Sequence, residues 1–167
     1  MNVLMQRYPD EIARILAKYP ADQKRSAVMP LLYLAQRELG YLTRQSIQDI
    51  AEILELSTTE VSSVVGFYTL LHDEPGGRYR LQVCTDLSCA LRGADRFLEQ
   101  LCQNLAIRVG ETTPDGLVMV EEVTCLAGCD KSPVFQLQGD GEITYYENQT
   151  VDKAMKLVEE LRRHANG

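Results

Sequence analysis

The chain has 167 residues, 45% apolar and 25% charged, which is the balance of an ordinary soluble globular protein able to bury a core. Its formal net charge of −7 argues against nucleic-acid binding, which draws on Lys and Arg displacing counterions from phosphates. No stretch approaches the ~20 apolar residues that span a bilayer, and the opening "MNVLMQRYPDEIARILAKYP" lacks the uninterrupted apolar segment of a signal peptide. The expected compartment is therefore the cytoplasm.

The first ~72 residues read as four helices. "PDEIARILAKY" opens on Pro9 with Asp10 and Glu11 in its first turn, which suits a helix N-terminus. "KRSAVMPLLYLAQRELG" ends at Gly40, a C-terminal cap, and Pro30 marks either a kink or a helix starting near it. "TRQSIQDIAEILEL" sets Ile47, Ile50, Ile53 and Leu54 on one face, with Thr43 as its cap. "STTEVSSVVGFYTLL" begins with Ser57 and Glu60 at capping-box spacing.

Pro75, Gly76 and Gly77 then punctuate the chain, so we expect a helical domain over 1–74, a linker over 75–78 and a second domain over 79–167. There "RYRLQVC" reads as a strand and "GADRFLEQLCQNLAI" as an amphipathic helix. "GLVMVEEV", "VFQLQ" and "EITYYE" follow as strands, with "GDG" at 139–141 as a hairpin turn. "TVDKAMKLVEELRRHA" closes as a helix capped by Thr150. The fold class is α+β: a helical bundle or arm, then a small sheet with two helices.

Five cysteines carry the chemistry. Cys102 falls on the apolar face shared by Ala94, Phe97, Leu98, Leu101 and Leu105, where a free thiol acts as a small hydrophobe. The other four form two pairs, Cys84-x4-Cys89 and Cys125-x3-Cys129, each in a turn after a strand. Cys89 is placed just before a helix, where free N–H groups favour thiolate. An odd count without a secretory signal argues against a disulfide framework. Four thiolates suit zinc or an iron–sulfur cluster, and the x4 and x3 loops suit an object larger than one ion. Spacing alone leaves [2Fe–2S], zinc and plain structural cysteines open.

At these residues the chain resembles the thioredoxin-like [2Fe–2S] subunit family of respiratory NADH:quinone oxidoreductase (complex I, NuoE type). "GYLTRQSIQDIAEIL" and "VSSVVGFYTLL" are similar to the family's helical region. "VCTDLSCALRGA", "VGETTPDG", "CLAGCDKSPVF" and "YYENQTVDKAMKLVEEL" follow in the family's order. The resemblance implies a thioredoxin-like ferredoxin domain in which Cys84, Cys89, Cys125 and Cys129 ligate one [2Fe–2S] cluster. It further implies a partner subunit carrying FMN and oxidising NADH, further iron–sulfur subunits, and a place in the peripheral arm of a membrane-bound complex without direct membrane insertion. The chain itself would carry an electron and hold no complete catalytic site. One departure stands out: the family reads Cys-Leu-Gly-Ala-Cys where this chain has Ala127 before Gly128, which bears on the residue that takes a positive φ there.

Other readings remain. The same subunit type serves NAD-dependent formate dehydrogenases and bidirectional hydrogenases. A zinc-stabilised adaptor would use the same four cysteines. A helix-turn-helix DNA-binding protein would share the rhythm of "IQDIAEILELSTTEVSSVVGFYTLL", although residues 58–71 contain no Lys or Arg.

Overall fold

A computed structural model describes residues 2–165; Met1, Asn166 and Gly167, the outermost residues of the two expected domains, lie outside it. The chain divides into two compact units between Pro75 and Gly76.

The first unit is helical: α1 (Val3–Arg7), α2 (Pro9–Leu16), a 3-10 turn (Ala21–Ala27), α3 (Val28–Leu39), α4 (Arg44–Leu54) and α5 (Thr58–Phe67). Ile12, Leu31, Leu32, Leu42, Ile50 and Val61 are sealed in its core. Pro30 belongs to the first turn of α3, where its missing N–H would have had no intrahelical partner. Of the two expectations for Pro30, a helix start is the one realised. Thr43 caps α4, and Ser57 with Glu60 forms a complete capping box on α5. Helix α5 stops at Phe67 and does not run to Leu71, because the segment after it is pinned elsewhere. The Gln36 amide donates to the Leu70 carbonyl at 2.8 Å and accepts the His72 N–H at 2.8 Å.

Helix α1 has no counterpart in the sequence reading. Asn2 caps it through the Met5 N–H, and the buried Asp49 carboxylate accepts the Leu4 N–H at 2.9 Å. A five-residue helix is too short to stand without such tertiary contacts.

The second unit runs β1 (Tyr79–Cys84), α6 (Leu87–Ala90), α7 (Ala94–Leu105), β2 (Val118–Val123), a 3-10 turn (Cys129–Lys131), β3 (Phe135–Gly139), β4 (Glu142–Tyr146) and α8 (Val151–Ala165). The sheet order is β2-β1-β3-β4; β1 and β2 are parallel and the remaining pairs antiparallel. Leu81, Val83, Val118, Val120, Phe135 and Leu137 from the strands bury against Phe97 and Leu101 of α7 and Ala154 and Val158 of α8.

Several alternate positions of the inner strands are polar yet hidden. Gln82 donates to Glu121 at 2.7 Å and accepts from Gln138 at 2.8 Å, Gln136 joins through the same oxygen, and Arg80 pairs with Glu121. Strands β1, β2 and β3 all contribute members, and among the described residues no buried side-chain nitrogen or oxygen is left unpaired. Gly77, read from sequence as linker, lies against β2: a Cβ there would stand 2.7 Å from the Met119 nitrogen.

Asp140 and Gly141 both adopt positive φ, the requirement of a two-residue hairpin turn. The Asp140 carboxyl is held below its ordinary pKa, first by the Tyr79 hydroxyl and then by Arg78. Asp115 is likewise lowered, first by the Thr113 hydroxyl, opposed by burial, and further by Arg162. A depressed carboxyl pKa contributes stability above the unfolded value of about 3.9, lost as pH falls through the lower folded value. The urea midpoint of the wild type is therefore expected to exceed that of an Asp115→Asn/Asp140→Asn variant at pH 6. That advantage should vanish as the pH drops below about 4. A constant gap at every pH would mean the two carboxylates act only as neutral hydrogen-bond acceptors.

Candidate metal centre

Because β1 and β2 are parallel, with Cys84 opposite Val123, both strands deliver their following loops to one end of the sheet. This is how residues forty positions apart in sequence become neighbours. Cys84 is the last residue of β1 and is 1% exposed. It fastens both ends of the second loop: its thiol approaches the Thr124 carbonyl at 3.5 Å and its N–H donates to the Val134 carbonyl at 3.1 Å.

After Cys84 the chain turns at Asp86, whose carboxylate caps the one-turn helix α6 through the Leu87 N–H at 2.9 Å. Cys89 sits inside α6, not just before a helix as its sequence context suggested, and its N–H is already bonded to the Asp86 carbonyl at 2.7 Å. Its side chain is fully buried with Cys84, Ala94 and Val134, and Leu126 packs on them. Burial pushes the Cys89 thiol above its ordinary pKa. The Ser132 hydroxyl opposes that shift, and the neighbouring Cys84 and Cys129 thiols add to it. The expectation of free N–H groups favouring thiolate at Cys89 therefore meets two opposing facts: its own N–H is engaged, and its burial disfavours the charged form.

The second loop brings Cys125 and Cys129 to the surface. The Cys125 sulfur accepts the Ala127 N–H at 3.4 Å. Cys129 opens the short 3-10 turn, in which the Lys131 N–H donates to the Gly128 carbonyl at 3.0 Å. The loop returns to β3 through a cis Ser132–Pro133 peptide. Arg92, three residues past Cys89, reaches across to this loop and donates to the Asp130 carbonyl at 2.7 Å.

No disulfide joins any of the five cysteines. Cys102 stands apart in the α7 core, its thiol pKa raised by burial, consistent with a hydrophobic role. Among the described residues no three His, Cys, Asp or Glu side chains gather as ligands for a single metal ion. What the geometry offers is a buried pair and an exposed pair of sulfurs on two loops at one sheet end, a donor set without nitrogen or oxygen. Soft thiolates of this kind suit iron–sulfur clusters, with an N–H donor to sulfur already in place at Ala127. Sequence reasoning missed Arg92 and Ser132, which bear on the loops only through folding.

The inverted Ala-Gly pair has a definite consequence. Ala127 takes φ 57°, the left-handed region, while Gly128 sits at φ −103°. An L-residue there costs about 1–2 kcal/mol, part of which glycine would return as chain entropy. Ala127→Gly is expected to stabilise the metal-free chain by about 0.5–1 kcal/mol, read as a higher calorimetric melting temperature. Gly128→Ala should act oppositely, since its methyl would stand 3.2 Å from a Val134 methyl beside the buried cysteines. A lower melting temperature for Ala127→Gly would show that the turn carries no strain.

The comparisons with known proteins bear on the family and the fold. The thioredoxin-like [2Fe-2S] ferredoxin family matches residues 12–162. The chain is 40% identical over 153 residues to the second NADH-quinone oxidoreductase E subunit of Rhizobium meliloti (strain 1021), covering 92% of this chain and 88% of that protein. It is 41% identical over 153 residues to NADH-quinone oxidoreductase subunit 2 of Thermus thermophilus, covering 92% of this chain and 83% of that protein. Among solved structures, a chain of an NAD+-reducing [NiFe]-hydrogenase in the H2-reduced state superposes with a TM-score of 0.66. Identity there is 19%, and the match covers 81% of this chain but only 22% of that one, so it speaks for the fold alone.

Proposed function

The chain belongs to the thioredoxin-like [2Fe-2S] ferredoxin family, and from that premise we propose that it is the [2Fe–2S] electron-transfer subunit of an NADH:quinone oxidoreductase. The observation that carries this reading is the pair of cysteine loops brought to one end of the sheet by parallel β1 and β2. Their sequence context is shared at about 40% identity with NADH-quinone oxidoreductase subunits over nearly the whole chain. Cys84, Cys89, Cys125 and Cys129 are the proposed ligands, and a [2Fe–2S] cluster bound there supplies one-electron acceptance and return.

The residues around the ligands divide the remaining work. Val134, Ala94 and Leu126 exclude water from the Cys84–Cys89 side. The Ala127 N–H donates toward sulfur and so stabilises negative charge on it. Asp86 and Asp130, beside the proposed ligands in sequence, would oppose the added charge of reduction. Electrons come from a partner subunit that carries FMN and oxidises NADH, with further iron–sulfur subunits beyond it.

The docking face for that partner is the rim of the cysteine loops, residues 86–88 and 126–128. Leu87 and Leu91, one helical turn apart, are 71% and 80% exposed there, more apolar surface than a solvated loop needs. The helical domain over 1–74 is the second part of the partner-binding surface. Among the described residues no helix is long and apolar enough to cross a membrane. The proposed location is the cytoplasmic peripheral arm of a membrane-bound complex.

Anaerobic purification of the tagged chain from its native cells tests the reading. We expect iron and sulfide in equal amounts, broad visible absorption, an EPR signal on reduction, and a co-purifying FMN-containing NADH oxidase. Stoichiometric zinc without iron would establish the adaptor instead. Mass identification of the companions would distinguish a quinone reductase from a formate dehydrogenase or hydrogenase assembly.

A further inference from the structure

We propose that Arg92 is a latch joining the two cysteine loops and, through its fixed positive charge, a determinant of the reduction potential of the group they hold. The second half of this proposal rests on the [2Fe–2S] reading above; the first half does not.

The backbone around Arg92 is anchored on both sides. Its own N–H donates to the Cys89 carbonyl at 3.0 Å, and Gly93 follows at φ 90°, turning the chain from α6 into α7. Glycine permits that left-handed turn at little cost, and it leaves the Arg92 side chain free to cross to the second loop. There the guanidinium donates to the Asp130 carbonyl at 2.7 Å and meets the Cys129 carbonyl at 3.5 Å. Both carbonyls belong to the short turn that begins with Cys129.

Among the described residues, two further side-chain hydrogen bonds that tie the first cysteine segment to the second are neutral and long. Ser132 Oγ lies 3.4 Å from the Cys89 carbonyl, and the Cys84 thiol 3.5 Å from that of Thr124. The Arg92–Asp130 bond, at 2.7 Å, is shorter than either and charge-assisted, and such bonds are roughly twice as strong as neutral ones. It ties the exposed Cys129 turn to the α6 segment that buries Cys89.

The charge of Arg92 also stays effective at this place. Its partners are backbone carbonyls and not a carboxylate, whereas the nearby Lys131 is paired with Glu147 at 2.9 Å. A cation bonded to the Asp130 carbonyl and 3.5 Å from that of Cys129, a proposed ligand, favours any state of the site that carries an added electron. Because Arg92 is exposed, that effect should weaken with ionic strength.

The test compares full-length Arg92→Lys and Arg92→Gln with the wild type. EPR-monitored redox titration should give a lower midpoint potential for Arg92→Gln and a nearly unchanged one for Arg92→Lys, with the Gln shift shrinking in high salt. Loss of visible absorption to a ferrous-iron chelator should quicken about tenfold in both variants, the factor that one charge-assisted hydrogen bond implies. Amide exchange over residues 125–133 of the metal-free chain should quicken in both. Unchanged exchange and chelator rates would overturn the latch, and an unchanged potential in Arg92→Gln would overturn the charge role. If the wild type binds no iron, the cluster reading fails by itself, and the exchange measurement still decides the latch.

Discussion

Cys84→Ser and Cys89→Ser are each expected to abolish the visible absorption and the reduced-state EPR signal, while Cys102→Ser leaves both intact. The contrast follows from placement. Cys84, at the end of β1, is 1% exposed and Cys89, within α6, is 0% exposed, and Ala94 and Val134 pack beside both. A serine hydroxyl there is a poor substitute, because its oxygen is harder, its bond to carbon shorter, and its ionisation disfavoured by the same burial that raises the Cys89 thiol. Cys102 is almost as buried, at 5%, yet it lies among Phe97, Leu98 and Leu101 on α7. Oxidation-state chemistry does not reach it, so Cys102→Ser costs packing and stability only. Cys125→Ser and Cys129→Ser should match the buried pair in losing the signal. Retention of the spectrum in Cys84→Ser together with its loss in Cys102→Ser would refute the proposed ligand set.

Phe135→Ala is expected to be the most damaging single change to the second unit. Phe135 is fully buried, with its ring stacked 5.0 Å from Tyr146 and 6.2 Å from Phe97. It therefore joins β3 to β4 and to α7 at one point. Truncation removes the ring and leaves a cavity between sheet and helix, at a cost of about 3–5 kcal/mol. A domain of this size has only about 5–15 kcal/mol in total, so its melting temperature should fall by roughly 12 °C or more. The neighbouring Val134 packs on Cys84 and Cys89, so iron binding should loosen as well. Calorimetry on the metal-free chain measures the first effect without the second. A shift of about 2 °C or less would mean that the core closes around the gap.

Local chemistry explains which parts were legible beforehand. Thr43 and the Ser57–Glu60 box cap α4 and α5 through bonds to residues at most three positions away, so short stretches of sequence carry the signal. The α7 face that sets Cys102 apart is equally local, a matter of helical period. Helix α1 was illegible because its fastening is Asp49, forty-five residues later. The end of α5 was misjudged for a similar reason: Gln36 takes hold of residues 70 and 72. Around the cysteines, the strands, the loops and the family resemblance were readable. The burial of Cys89 within α6, the reach of Arg92, and the choice of Ala127 as the positive-φ residue were not.

By itself, then, the sequence determined the α+β class, most helix and strand positions, and the spacing of four cysteines as two closely spaced sets, Cys84 and Cys89, then Cys125 and Cys129. Those properties follow from periodicity, capping and turn chemistry, whose range is a few residues. Only the tertiary structure decided which thiol is desolvated, how the second loop is fastened at Thr124 and Val134 to Cys84, and where a cation meets the Cys129 turn. The physical reason is that burial and long-range hydrogen bonds belong to the packed sheet: the parallel pairing of β1 and β2 sets two distant loops side by side, and desolvation acts only once they are there.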